Sequence, residues 1–398
     1  MTHPFSGKFA IVGLGFLAGK LPGKSARTLE TEAVRLAIQD AGLRPQDIDG
    51  AINTRIESGA SESRGWTDSY ARILGLPAKF YFTVQRGGIM THLAIVAATQ
   101  MLELGVANYV AVGYGATDWS DTRDRSDGSR RQRGAERAGL WGRPLGDLAA
   151  ASHHSFFASR HMHEFGTTPD HLGMVAVSHR QWAGRNPQAQ MYGRPITLDD
   201  YYASPLVVEP YRLLDLCLVS DSGAAFILTT AERARDLRRP PVAVLGVGFG
   251  EALRELWWEK KNYTRLAVDT ARDAAFDQAG RALEDVDVAE LYDCFTMEVI
   301  LQVEDYGWCA KGEGGPFIAA GSIAPGGSIP VNTGGGLLSG YYMADWTPFV
   351  EAVTQLRGDG GDRQVPDAHV ALVSGHGGEI LRPGMCSTHG TLLLGRQA

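Results

Sequence analysis

The sequence predicts a layered α/β protein made of two tandem βα-rich halves with a polar region inserted between them. Three observations carry that expectation. Strand-like and helix-like segments alternate through the first 114 residues. A set of residues recurs 238 positions further on. Glycine makes up 49 of 398 residues, well above the usual ~7%, and gathers in short clusters rather than low-complexity runs.

Each element follows in order. Phe9–Gly15 reads as a buried strand ending in glycine. From Thr28 to Ala41 the apolar residues Ala33, Val34, Leu36, Ala37 and Ala41 fall at helical spacing, opened by Thr28 and closed by Gly42. Ile48–Asn53 and Lys79–Val84 read as short strands. Gly88–Gly105 is nearly all apolar and predicts a helix buried on most sides. Asn108–Gly113 returns as a strand. Within the polar region, Asp118–Arg137 reads as an exposed loop, and Leu148–Phe165 and Asp170–Ala183 as helices. Leu213–Thr229 re-enters compact structure, with Ala224–Leu228 as a strand.

The second half then restarts the first. Ala41, Gly42, Asp47, Asp49 and Ala51 match Ala279, Gly280, Asp285, Asp287 and Ala289 at one offset. Val12-Gly13-Leu14-Gly15 matches Leu245-Gly246-Val247-Gly248 five residues out of step. Ala-Gly caps are common enough for chance similarity, but one offset held across the set favours duplication. The expected division is 1–114 plus 208–238 as the N-terminal half, 115–207 as an inserted loop region, and 239–398 as the C-terminal half. Ligands are expected at the junction of the halves.

Composition narrows the function classes. The net charge is −7 with no basic block, which argues against nucleic acid as a partner. No apolar run reaches the roughly 18 residues of a membrane span, and the N-terminus lacks a signal-type apolar core. Cys217, Cys294, Cys309 and Cys386 are scattered, without CxxC, which points to a reducing cytoplasm rather than a disulfide scaffold or zinc ribbon. The glycine clusters, among them Gly87-Gly88, Gly334–Gly336 and Gly375–Gly378, read either as tight turns or as backbone brought close to a ligand.

Four stretches resemble thiolases, in the order found in the sterol-carrier-protein-X branch, and together they span essentially the whole chain. Gln85–Ala94 resembles the stretch that delivers the nucleophilic cysteine at a helix start. Glu290-Leu-Tyr-Asp-Cys-Phe295 resembles the Glu-x-Asn-Glu-Ala-Phe segment. Asn332–Tyr342 resembles the Asn-x-x-Gly-Gly…Gly-His-Pro segment, and Ser374–Gly378 the final Cys-x-Gly-Gly-Gly loop. The resemblance implies the thiolase fold, a layered α-β-α-β-α arrangement.

The departures decide the chemistry. The nucleophile position falls on about Gly88, and there is no cysteine before residue 217. The family's asparagine, histidine and last cysteine positions are Tyr292, Tyr342 and about Ser374. Transfer through an acyl-cysteine is then unavailable at this position. Thiolase homologues with two tyrosines at these places resemble the steroid side-chain-cleaving aldolases of bacterial steroid degradation. That resemblance implies retro-aldol cleavage of a β-hydroxyacyl-CoA, a zinc-ribbon OB-fold partner protein, and a homodimer within a heterotetramer. It implies no cofactor, CoA being part of the substrate. A retro-aldol needs a base on the β-hydroxyl and a donor for the thioester enolate, but no nucleophile. Tyr292 is assigned to the β-hydroxyl and Tyr342 to the enolate or its reprotonation, with the positive end of the helix near Gly88 assisting the anion.

Gly88, Ser374, His376 and Gly377 are expected to contact substrate, although a buried, satisfied histidine is an equal reading of His376. His92 and Cys294 read as packing residues. No metal is expected: His153-His154 and His161-x-His163 have ligand-type side chains, but no carboxylate or cysteine in the sequence pattern completes a set. The arginines from Arg123 to Arg137 read as a solvated loop or a CoA phosphate contact, and Trp257-Trp258 as a partner contact. Two further readings stand beside the lyase: a thiolase-like acyltransferase using Cys294 or Cys386, and a non-catalytic acyl-CoA-binding scaffold.

Overall fold

The computed structural model describes residues 3, 5–54, 69–124, 150–251, 262–377 and 388–397. Nine strands form one sheet in the order β3-β2-β4-β7-β1-β8-β11-β10-β9. They are β1 (Phe9–Gly19), β2 (Gly50–Asn53), β3 (Tyr81–Thr83), β4 (Val110–Thr117), β7 (Asp221–Thr230), β8 (Val242–Glu251), β9 (Val288–Glu290), β10 (Val370–Gly377) and β11 (Thr388–Arg396). A small hairpin, β5 (Leu206–Val208) and β6 (Tyr211–Arg212), stands apart.

The sheet repeats itself. In the first half β2 runs parallel to β4, β4 antiparallel to β7, and β7 antiparallel to β1. In the second half β9 runs parallel to β10, β10 antiparallel to β11, and β11 antiparallel to β8. The halves meet where Ala10 and Ile11 of β1 pair with Ala243 and Val242 of β8. Side-chain spacing explains why the glycine pairs recur. A Cβ on Gly13 or Gly15 would stand 2.2 or 2.3 Å from the carbonyl oxygens of Ala37 and Ala33. A Cβ on Gly246 or Gly248 would stand 2.1 or 2.0 Å from those of Ala275 and Ala271. Each half therefore needs bare backbone where its helix lies on its strand.

Alternation along the strands builds the layers. Ala10, Val12, Ala111, Ala225 and Ile227 face the helix Ala26–Asp40 in one core. Phe9, Ile11, Val110, Val112 and Phe226 face the other way, toward the helix Met90–Glu103. That helix touches strands of both halves, as does Trp346–Arg357, all twelve residues of which are buried. Val268–Ala279 covers β8 and β11 on the far side. The order is helix, half-sheet, central helices, half-sheet, helix.

Boundaries differ from the sequence expectation where capping decides. The first helix opens at Ser25, whose hydroxyl accepts from the Thr28 N–H, rather than at Thr28. The stretch read as an exposed loop begins as a helix, Asp118–Asp124, and residues 125–137 lie outside the described residues. The central helix starts at Met90, two residues after Gly88.

Candidate active site

Tyr292 follows β9 directly and is held at its backbone. Leu291 N–H donates to Asn332 Oδ1 at 2.6 Å, and Tyr292 N–H donates to Ser374 Oγ at 2.9 Å. The Tyr292 carbonyl accepts from Gln302 Nε2 at 2.8 Å. Tyr342 sits just beyond a π-helical turn, Gly336–Gly340, and its N–H donates to Ser220 Oγ at 2.9 Å. Fifty residues apart in the chain, the two phenols come near each other: the Tyr292 side chain acts on the Tyr342 hydroxyl as a hydrogen-bonding neighbour that favours its ionised form.

Asp293 ties the two deliveries together. Its carboxylate accepts from Leu337 N–H at 2.8 Å and from Leu338 N–H at 3.2 Å, in the first turn of the segment that carries Tyr342. Gly336, at φ +60°, makes the fit possible, because a Cβ there would meet Asp293 Oδ2 at 2.1 Å. Burial pushes the Asp293 carboxyl up to about 8, against the pull of the two N–H donors and Asn332. His179 stands 3.4 Å from it and is held neutral by burial, down to about 4. Its Nδ1 lies 2.9 Å from the Val175 carbonyl, which assigns the proton there and leaves Nε2 to accept from Asn332 Nδ2 at 2.8 Å.

The Tyr342 phenol is pushed well above the ordinary range, first by burial and then by the Cys217 thiol, Tyr114 and Asp118 nearby, while the Tyr292 hydrogen bond works the other way. A phenol in that environment stays protonated near neutral pH, so it is suited to donating a hydrogen bond rather than taking a proton.

The other expected contacts fall as follows. His376 is buried, with its ring 6.3 Å from that of Tyr292, 5.9 Å from His154 and 6.0 Å from His389. Ser374 is fully buried, and its hydroxyl accepts from Tyr292 N–H while donating to Gln302 Oε1. It supports the tyrosine rather than presenting a free hydroxyl. Gly88 and Gly377 lie in one contact of backbone on backbone. Gly88, at φ +69°, would put a Cβ 1.6 Å from the His376 carbonyl oxygen, and Gly377 would put one 2.8 Å from the Gly87 carbonyl oxygen. These glycines let two segments of the chain touch.

The helix dipole also needs correction. Asp345 Oδ2 accepts from both the N–H and the hydroxyl of Thr91, each at 2.6 Å, so a buried carboxylate already occupies the first turn of the Met90–Glu103 helix. His92 packs beneath it, with Nε2 3.3 Å from the Val373 carbonyl.

Sequence reasoning missed Asp293, Asp345 and the placement of Cys217 beside Tyr342. It also missed what surrounds His154. The sequence pattern offers no carboxylate or cysteine to complete a set with His154, and the structure supplies both. Cys294 and Glu298 converge on His154, with Glu298 hydrogen-bonded to its Nδ1. Cys294, read as a packing residue, is indeed buried, but in that company. His161 pairs instead with Glu304, at 3.0 Å. Arg125–Arg137, Trp257-Trp258 and Cys386 lie outside the described residues. Among the described residues no helix is long and apolar enough to cross a membrane.

Comparison with known proteins finds relatives over nearly the whole chain. Residues 253–396 match the family model for the thiolase C-terminal domain-like fold. A steroid side-chain-cleaving aldolase of Thermomonospora curvata is 34% identical over 93% of this chain and 96% of its own. The 17-hydroxy-3-oxo-4-pregnene-20-carboxyl-CoA lyase of Mycobacterium tuberculosis is 33% identical over 94% of this chain and 97% of its own. The solved Ltp2-ChsH2(DUF35) aldolase superposes with a TM-score of 0.85 at 34% identity, covering 98% of both chains. At 33–34% identity over nearly the full length of both, the chain belongs to the thiolase-like family of the steroid side-chain-cleaving aldolases.

Proposed function

We propose that this chain is a lyase that cleaves a β-hydroxyacyl-CoA by a retro-aldol reaction, with a steroid side chain as the acyl group. The observation that carries the reading is the meeting of the Tyr292 and Tyr342 phenols where the nucleophile, asparagine and histidine of a thiolase are all replaced. Tyr292 relays the β-hydroxyl proton, accepting it as the Cα–Cβ bond breaks and passing its own hydroxyl proton on to Cα. The electron pair of that bond becomes the thioester enolate. Tyr342, kept protonated by its surroundings, donates a hydrogen bond to the enolate oxygen. Protonation at Cα then gives a short acyl-CoA, and the former carbinol carbon leaves as a ketone or aldehyde. No cofactor enters this sequence, since CoA arrives as part of the substrate. His376 lies beside Tyr292 and is the described side chain best placed to meet the thioester.

The assembly read with this function is a homodimer joined to two copies of a zinc-ribbon OB-fold partner, in the cytoplasm. The partner reading is supported by the ChsH2(DUF35) named with the related aldolase structure. The dimer reading is supported by β3, which among the described residues stands at one edge of the sheet, with Phe82 within it and Phe80 just before it stacked 5.5 Å apart. Incubation with a 17-hydroxy steroid bearing a 20-carboxyl-CoA, with the partner present, tests the activity by product analysis. The expected result is a 17-ketosteroid and a short acyl-CoA in equal amounts. Recovery of unchanged thioester would support the scaffold reading instead.

A further inference from the structure

We propose that His154, Cys294 and Glu298 form a transition-metal site, with zinc the ion that their chemistry suits. The three come from different parts of the chain: His154 from the helix Ala150–Phe165, Cys294 from the segment after β9, and Glu298 from the helix Thr296–Tyr306. One ligand atom of each, an imidazole nitrogen, a thiol sulfur and a carboxylate oxygen, lies within 4.8 Å of the other two. In a tetrahedral zinc site such atoms stand roughly 3.3–3.7 Å apart, given bonds of ~2.0–2.3 Å. Closure on an ion therefore takes side-chain shifts of about an ångström, not a rearrangement of the fold.

Burial strengthens the case. His154 and Glu298 are fully enclosed, and Cys294 is 8% exposed. Glu298 uses one oxygen on His154, while Oε2 is buried with no hydrogen-bond partner. Leaving a carboxylate oxygen without a donor or cation is unfavourable. A divalent ion at this position would satisfy it and compensate the carboxylate charge. The donor set of nitrogen, sulfur and oxygen selects against magnesium and calcium, which take oxygen ligands alone. Binding exchanges protons for metal: the Cys294 S–H proton leaves as the sulfur–metal bond forms, and the proton shared by His154 and Glu298 leaves with it.

The ion would be a clamp rather than a participant in cleavage. Cys294 is two residues beyond Tyr292, so a metal there would fasten the Tyr292 segment to the helix Ala150–Phe165. His376 stands between the two, its ring 5.9 Å from His154 and 6.3 Å from Tyr292.

The test uses the full chain alone, without the partner, after chelator treatment. Cobalt(II) is titrated in and the thiolate-to-cobalt charge-transfer absorption is followed. Zinc content is then measured after dialysis against a zinc-buffered solution. One zinc per chain, a thiolate–cobalt band, and a rise in melting temperature on adding zinc are expected. Cys294→Ser should abolish the band, and Glu298→Gln should weaken metal binding about 10–100-fold. No stoichiometric zinc in the wild-type chain would overturn the proposal and leave a simple His154–Glu298 hydrogen bond. A band that persists in Cys294→Ser would also overturn it, by placing the metal on another thiol. Should Cys294→Ser fail to fold, the wild-type titration and the response of Glu298→Gln still decide.

Discussion

Gly88 shows how one missing Cβ closes off a reaction. The position lies about where the resemblance to thiolases expects the nucleophilic cysteine, yet any side chain there would begin 1.6 Å from the His376 carbonyl oxygen and would need φ near +69°. Gly88→Cys should therefore destabilise the fold by about 2–4 kcal/mol through overpacking and backbone strain. It should show no cleavage of acetoacetyl-CoA. Denaturant unfolding and a thiolysis assay check both parts. Cys217 raises a different issue at this scale. It influences Tyr342 electrostatically and its N–H donates to the Cys294 carbonyl at 3.0 Å, so a bulky maleimide on Cys217 would crowd the tyrosine pair. Inhibition by alkylation is then expected without any acyl-cysteine. Cys217→Ala should keep kcat within about tenfold. A loss of several orders of magnitude in Cys217→Ala would revive the acyltransferase reading.

The π-helical turn Gly336–Gly340 is the element whose position sets the second tyrosine, and Asp293 is its anchor. The pH dependence follows from the raised folded-state value of that carboxyl, about 8. Unfolded, it titrates near ~4. Between these values the native state holds a proton that the unfolded chain has lost. Its contribution to stability is complete below pH ~4 and falls by up to ~1.4 kcal/mol per pH unit as pH rises toward 8. Asp293→Asn cannot titrate and leaves an amide opposite one N–H donor. It should be destabilised by about 1–3 kcal/mol at pH 5, with the gap to wild type narrowing as pH rises to 8. Melting temperature against pH for both proteins checks the slope. A constant gap would place the carboxyl in its ordinary range.

At the scale of the whole molecule, the duplicated architecture was legible because strand glycines and helix caps leave a periodic trace. The five-residue slip between the glycine pairs and the caps is real, since Gly13 and Gly246 face equivalent helix carbonyls of Ala37 and Ala275. Tyr292 and Tyr342 were legible as replacements within family segments, but their contact was not. It depends on Asp293, Ser374 and Ser220 holding backbones that are distant in sequence. The grouping of His154 with Cys294 and Glu298 escaped for the same reason, since about 140 residues separate its parts. Asp345 escaped because a helix N-terminus read from sequence looks vacant until tertiary structure fills it. The assembly belongs to this scale too. If β3 pairs across a twofold, Phe82→Lys should shift the light-scattering mass of the isolated chain from dimer to monomer at micromolar concentration, leaving its circular dichroism unchanged.

Under the proposed function two phenols, and no thiol, carry the cleavage. The most direct measurement is kcat and KM for Tyr292→Phe, Tyr342→Phe and the double variant, with the partner present and folding checked by circular dichroism. Each substitution removes one hydroxyl and little volume. Each single variant should lose about 10²–10⁴ in kcat with a smaller change in KM, and the double variant should lose less than the product of the two. Near-wild-type kcat in both single variants would contradict the account.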